Sequence, residues 1–134
     1  MGAWGTGAFE NDGAGDLVAA LRHQGPRPLE EAFDLPEGDY LEVDQGQSVI
    51  AAAEVVAAAF GQAAAGLPAE MQQWVARHGP AIRAQADLPG KALLALSRVT
   101  ADDSEIQELW AEVDDGRAWS AAVQDLEERL RAIR

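Results

Sequence analysis

The stretch Val49-Ile-Ala-Ala-Ala-Glu54-Val-Val-Ala-Ala-Ala-Phe60 sets the architecture. Val49, Ala53, Val56 and Phe60 keep helical spacing, and only Glu54 interrupts the apolar surface around them. A helix apolar nearly all round has no solvent side, so its place is the centre of a bundle. It is too short and too weakly hydrophobic to span a bilayer, which takes about 20 apolar residues. Asp44 or Ser48 is the expected N-cap, and the helix should end between Phe60 and Ala65. Alanine triplets at 51–53, 57–59 and 63–65 allow neighbours to approach closely.

Working outward, helical patterns with clear stop signals surround this segment. Asn11 or Asp12 caps a first helix that buries Leu17, Val18 and Leu21 and stops at Gly25-Pro26. A short helix is expected over 29–34. Pro36-Glu37-Gly38 is a turn signal, and Tyr40–Val43 is too short to build a sheet. Pro68 opens a helix through His78 with Met71, Trp74, Val75 and His78 inward, closed by Gly79-Pro80. Another covers about 91–99. Ser104 caps a helix through Asp115 that buries Ile106, Leu109, Trp110 and Val113, with Gly116 as its end. The last helix starts near Arg117 with Trp119, Ala122, Val123, Leu126, Leu130 and Ile133 on one stripe. Residues 1–10 read as an irregular arm, with Trp4 and Phe9 tucked onto the helical body. The expected fold is all-α: one compact domain over residues 1–134, a bundle of five to seven helices with a Gly-rich N-terminal arm.

Composition removes several functions. The chain of 134 residues has no cysteine and two histidines, His23 and His78, both expected at helix C-termini. Thiol nucleophiles, disulfides, zinc fingers and iron–sulfur sites are therefore excluded, as is a multi-His metal site. No metal and no cofactor is expected. A charged segment leading into an apolar run is absent at the N-terminus, so a cytoplasmic protein without membrane association is expected. The abundance of alanine and arginine resembles bacterial coding bias. Asp and Glu number 23 against 10 Lys and Arg, a net charge of −13. Nucleic-acid binding draws on Lys and Arg against phosphate, so no direct nucleic-acid partner is expected. Acidic surfaces instead steer basic partners. No base occurs between Arg27 and Arg77, nor between Arg98 and Arg117.

Three constellations bear on chemistry. Met1-Gly-Ala-Trp-Gly-Thr6 formally fits an acylation pattern, and Gly2, Gly5 and Gly7 invite comparison with a phosphate loop, but no Lys follows and Glu10, Asp12 and Asp16 occupy the anion's place. A structural arm is the better reading. Glu105, Glu108, Glu112 and Asp115 share one helical face within roughly 80° at 100° per residue. Such carboxylates could hold a divalent metal, as in an all-α nucleotide pyrophosphohydrolase; without a covering helix they form a solvated face. Glu54 is the third. Buried, it needs an Arg, a Trp N–H or backbone amides as partner, or it could act as acid or base. Asn11 and Asp12 are the groups expected beside it in any polar site.

The opening Met1-Gly-Ala-Trp-Gly-Thr-Gly-Ala-Phe-Glu-Asn-Asp12 resembles the signature of a bacterial family known as domain of unknown function 4259. Tyr40-Leu41-Glu42 with Ala51–Ala57, Trp74–His78, and Asp103–Trp110 with Trp119 resemble it too, so the likeness covers nearly the whole chain. It implies no assigned activity. It implies that the arm, Glu54 and the Ser104–Trp110 segment meet in space, and it marks Trp4, Gly5, Gly7, Phe9, Trp74 and Trp110 as structural motif residues. The leading functional expectation is a non-enzymatic acidic module that binds a basic protein in an immunity-type or regulatory role. Its binding acids would be Glu30, Glu31, Asp34, Glu37, Asp39, Glu105, Glu108 and Glu112. Mimicry of DNA is a special case of it. The alternative is a small metal-dependent hydrolase using the helix carboxylates or Glu54.

Overall fold

A computed structural model describes residues 7–35, 40–114 and 116–133. Trp4, Gly5, Glu37 and Asp39 lie outside the described residues. The helices are α1 (Asp12–Gln24), α2 (Arg27–Phe33), α3 (Val43–Ala59), α4 (Ala69–Arg83), α5 (Leu88–Val99), α6 (Glu105–Ala111) and α7 (Gly116–Arg131). No strand occurs among the described residues, so the fold is all-α, with seven helices. None is long and apolar enough to cross a membrane.

The apolar stretch forms the C-terminal two-thirds of α3, and every residue from Val49 to Ala57 is buried. Each of the other helices packs against α3. The alanines allow this, because a side chain with one carbon lets a neighbouring backbone come near. Two glycines bring neighbouring helices close to α3. A Cβ on Gly13 of α1 would stand 2.6 Å from Gln47 Cβ, and one on Gly46 of α3 would stand 2.6 Å from Ile106 Cγ2 of α6. Bare backbone at these points sets how close α1 and α6 lie to α3. The buried apolar side chains form one cluster that draws on all the helices, including Leu17, Leu29, Val49, Ile82, Leu96, Ile106 and Leu126.

Local chemistry explains most boundaries. Asn11 Oδ1 accepts from Ala14 N at 2.8 Å and starts α1. Gly25, at φ 73°, ends it in a conformation that side chains resist. Ser104 Oγ accepts from Gln107 N and starts α6. The start of α3 differs from the sequence expectation. Glu42 is the N-cap, with a capping box to Gln45, so the helix begins ahead of both expected caps and Asp44 falls within its first turn.

Two ends also differ. Helix α4 does not stop at Gly79-Pro80 but runs on to Arg83. Tertiary contacts outweigh the proline there: Ile82 is fully buried, and Arg83 Nη1 donates to Ala59 O at 2.9 Å. Helix α6 stops at Ala111, well short of Asp115, where Ala111, Glu112 and Val113 are exposed and bury no apolar face. Gly116 opens α7 rather than closing α6. A Cβ there would lie 2.0 Å from Trp110 O, so the tight reversal between the two helices takes glycine alone.

Candidate functional site

Glu54 sits in the middle of α3 at 7% exposure, and its partner is Arg129 of α7. The pair is bidentate: Arg129 Nη1 donates to Glu54 Oε1 at 2.8 Å, and Nη2 donates to Oε2 at 2.9 Å. Nη1 also donates to Gln62 O at 2.9 Å, and Nε to Asp125 Oδ2 at 2.7 Å. The guanidinium is therefore held by α3, by the chain after α3 and by its own helix. Its hydrogen bond to Glu54 pushes its pKa above the ordinary arginine value, against the opposing effect of burial. Both Glu54 oxygens are engaged by a cation. This is the partnered form of a buried acid, and it gives an acid–base role no free geometry.

A small cleft lies beside this pair, lined among others by Asn11, Gln47, Glu54, Ile106, Trp110 and Trp119. It encloses about 40 Å³, room for no more than a few waters. The N-terminus of α1, the centre of α3, α6 and α7 thus meet around Glu54. Gln47 Oε1 accepts from Gly13 N at 2.9 Å and ties α1 to α3 from inside. Trp110 and Trp119 stack nearly parallel, with ring centroids 6.2 Å apart. Gly7 and Ala8 complete the wall, and half-buried Phe9 packs on the core. Asp12 does not join the cleft: it is exposed in the first turn of α1. Trp74 lies elsewhere, packed at a tilt of 32° against His78 with ring centroids 4.5 Å apart and its Nε1 donating to Leu21 O. His78 is thereby inside α4 rather than at its end.

The predicted acids are placed in three ways. Glu30 of α2 pairs with Lys91 Nζ at 2.6 Å and, with Asp87, pushes the ammonium pKa up; Glu31 and Asp34 are exposed nearby. Glu105 and Glu108 do not simply face solvent. Glu105 Oε1 accepts from Val43 N at 2.7 Å, at the open end of α3, and Glu108 Oε2 accepts from Tyr40 Oη at 3.1 Å. Partial desolvation and then this hydrogen bond raise the phenol pKa above its usual value. Glu112 is exposed at the end of α6.

These two contacts flank a main-chain junction. Leu41 and Ser104 form a parallel bridge, with Leu41 N donating to Asp103 O at 2.9 Å and Glu105 N to Leu41 O at 2.8 Å. The two base-free stretches of sequence are thereby joined. Glu42, Asp44, Asp102 and Asp103, close in sequence to the joined residues, are exposed. Among the described residues, no three His, Asp or Glu side chains converge as a metal site. Sequence reasoning missed Arg129 and Gln47. Arg129 stands beside Leu126 and Leu130 on the buried stripe of α7, and Gln47 directly precedes the apolar run, yet neither position names its partner.

The family model described as Domain of unknown function (DUF4259) matches residues 2–122. No curated protein and no solved structure matches the chain.

Proposed function

The chain belongs to the DUF4259 family, and we propose that it is a protein-binding module, immunity-type or regulatory, that meets a basic partner through the acidic edge joined at Leu41 and Ser104. The observation that carries this reading is the junction itself. Segments more than 60 residues apart in sequence, each free of Lys and Arg, are held together by two backbone hydrogen bonds, by Glu105 on Val43 and by Glu108 on Tyr40. Asp44, Asp102 and Asp103 are exposed to a partner, while Glu105 and Glu108 make the contacts to Val43 and Tyr40. Fixed charge of one sign raises association rate and selects partners of the opposite sign. The protein is expected to act in the cytoplasm, where such partners include nucleic-acid-binding proteins.

The test uses the tagged full-length protein as bait in a lysate, with Asp44→Asn/Asp102→Asn/Asp103→Asn as the comparison. These substitutions are exposed and leave the junction contacts in place. A basic protein held by the wild type at low salt should be lost at high salt. The triple variant should lose it at low salt as well. Equal retention by both baits defeats the reading. The hydrolase alternative gains nothing from the geometry, since Glu54, Glu105 and Glu108 all have partners within the fold.

A further inference from the structure

A second concavity also borders Glu54. It is a groove of about 380 Å³ between residues 7–10, the α3–α4 connection at 64–68 and the 122–129 face of α7. That volume is within the range of ligand sites, unlike the water-sized cleft. Its walls are apolar at Phe9, Leu67, Pro68 and Ala122. Its charge is not balanced: Glu10, Glu54 and Asp125 line it against the single cation Arg129. Glu54 and Arg129 neutralise each other in the bidentate pair. Arg129 Nε also donates to Asp125 Oδ2 at 2.7 Å, and Glu10 Oε1 accepts from Gly7 N at 3.0 Å, so exposed Glu10 on the arm and exposed Asp125 on α7 each keep one carboxylate oxygen outside these contacts and the lining keeps a surplus of negative charge.

We propose that this groove takes an arginine side chain of the basic partner. The inference rests on the reading of the acidic edge as a protein-binding surface and supplies an anchor for it. An arginine buries its methylene stem on apolar walls while its head stays polar, and its planar fork suits carboxylates. Phe9, Leu67 and Pro68 provide the wall, and the second carboxylate oxygens of Glu10 and Asp125 provide acceptors. Position supports the same occupant. The water-sized cleft and the groove share Gly7, Ala8, Glu54 and Ala122, so together they run along one face of α3 from α6 to the arm. Glu54 stands roughly 16 Å along the helix from Val43 at 1.5 Å per residue. A standard interface, about 800 Å² per partner and so roughly 30 Å across, covers both the edge and the groove.

The experiment is an NMR titration of the ¹⁵N-labelled full chain with N-acetyl-arginine amide, with N-acetyl-norleucine amide as the uncharged control. The expected result is saturable shifts of the amides of 8–10 and 122–125 with the arginine probe, and none with norleucine. Glu10→Gln/Asp125→Asn should weaken the arginine probe about tenfold, the effect of losing roughly one charge-assisted contact. Ala122→Phe, at an exposed helical position, should block it by filling the groove. Three results overturn the proposal: equal shifts with norleucine, shifts confined to 40–44 and 102–108, or no saturable shift. The second leaves the acidic-edge reading intact. Conversely, a partner retained by the triple Asn variant removes that reading while arginine shifts at the groove still stand.

Discussion

The Glu54–Arg129 pair shows how one residue's chemistry is set by a distant one. A carboxylate in the middle of an apolar helix announces itself in sequence, and so does its need for a partner. Which arginine answers is not legible, because nothing local links position 54 to position 129. Removing one member of a buried pair leaves an uncompensated charge, so Arg129→Met should destabilise the protein by about 3–5 kcal/mol in urea denaturation. Replacing both, as Glu54→Leu/Arg129→Met, should restore most of that loss, since apolar groups of similar volume fill such sites well. A double variant as unstable as the single one would show that the pair holds more than its own charges. Tyr40 offers a second residue-scale test, because it is the chain's single tyrosine and its absorbance reports alone. Its phenol pKa is raised above 10.0. The folded state then keeps this proton longer than the unfolded state. The stability it contributes is complete below the unfolded value and falls as pH rises through the folded one. Ultraviolet titration should give a midpoint above that of the urea-unfolded chain, and Glu108→Gln should lower it.

At the scale of elements, spacing reveals helices better than it reveals their ends. The apolar run from Val49 to Phe60 and the α7 stripe from Trp119 to Leu130 were readable because each repeats an apolar face over several turns. The ends of α4 and α6 were not, since packing decides them: Ile82 and Arg83 have contacts that carry α4 past Pro80, whereas Ala111, Glu112 and Val113 are exposed. Close helix approach is equally hidden. Gly46 looks like an ordinary helix weakener until Ile106 is seen 2.6 Å from where its Cβ would be. On propensity alone, Gly46→Ala should stabilise α3 by up to about 1 kcal/mol. With α6 docked, it should instead destabilise the protein by about 1–3 kcal/mol through overpacking. Thermal denaturation of Gly46→Ala, with and without Ile106→Ala to relieve the clash, decides between the two. The double variant should lose less stability than the sum of the single ones.

For the molecule as a whole, the net charge of −13 and the two base-free stretches are plain in the sequence. That these stretches meet is not, because it depends on a bridge between Leu41 and Ser104. A surplus of one sign repels itself, and salt screens it. The melting temperature should therefore rise between low and physiological salt, even as affinity for a basic partner falls. A fall in both would mean that ion pairs, not repulsion, dominate the fold's response to salt. The most direct measurement of the central claim is the dissociation constant of the captured partner, by calorimetry, for wild type and two charge-matched variants. One neutralises the edge at Asp44, Asp102 and Asp103, and the other removes the exposed acids Asp12, Asp16 and Glu128 as Asn, Asn and Gln. The edge variant should bind at least about tenfold more weakly, a loss of roughly 1.4 kcal/mol, and the control within about threefold of wild type. Equal weakening in both would mean that only total charge matters and would contradict a binding edge built by the fold.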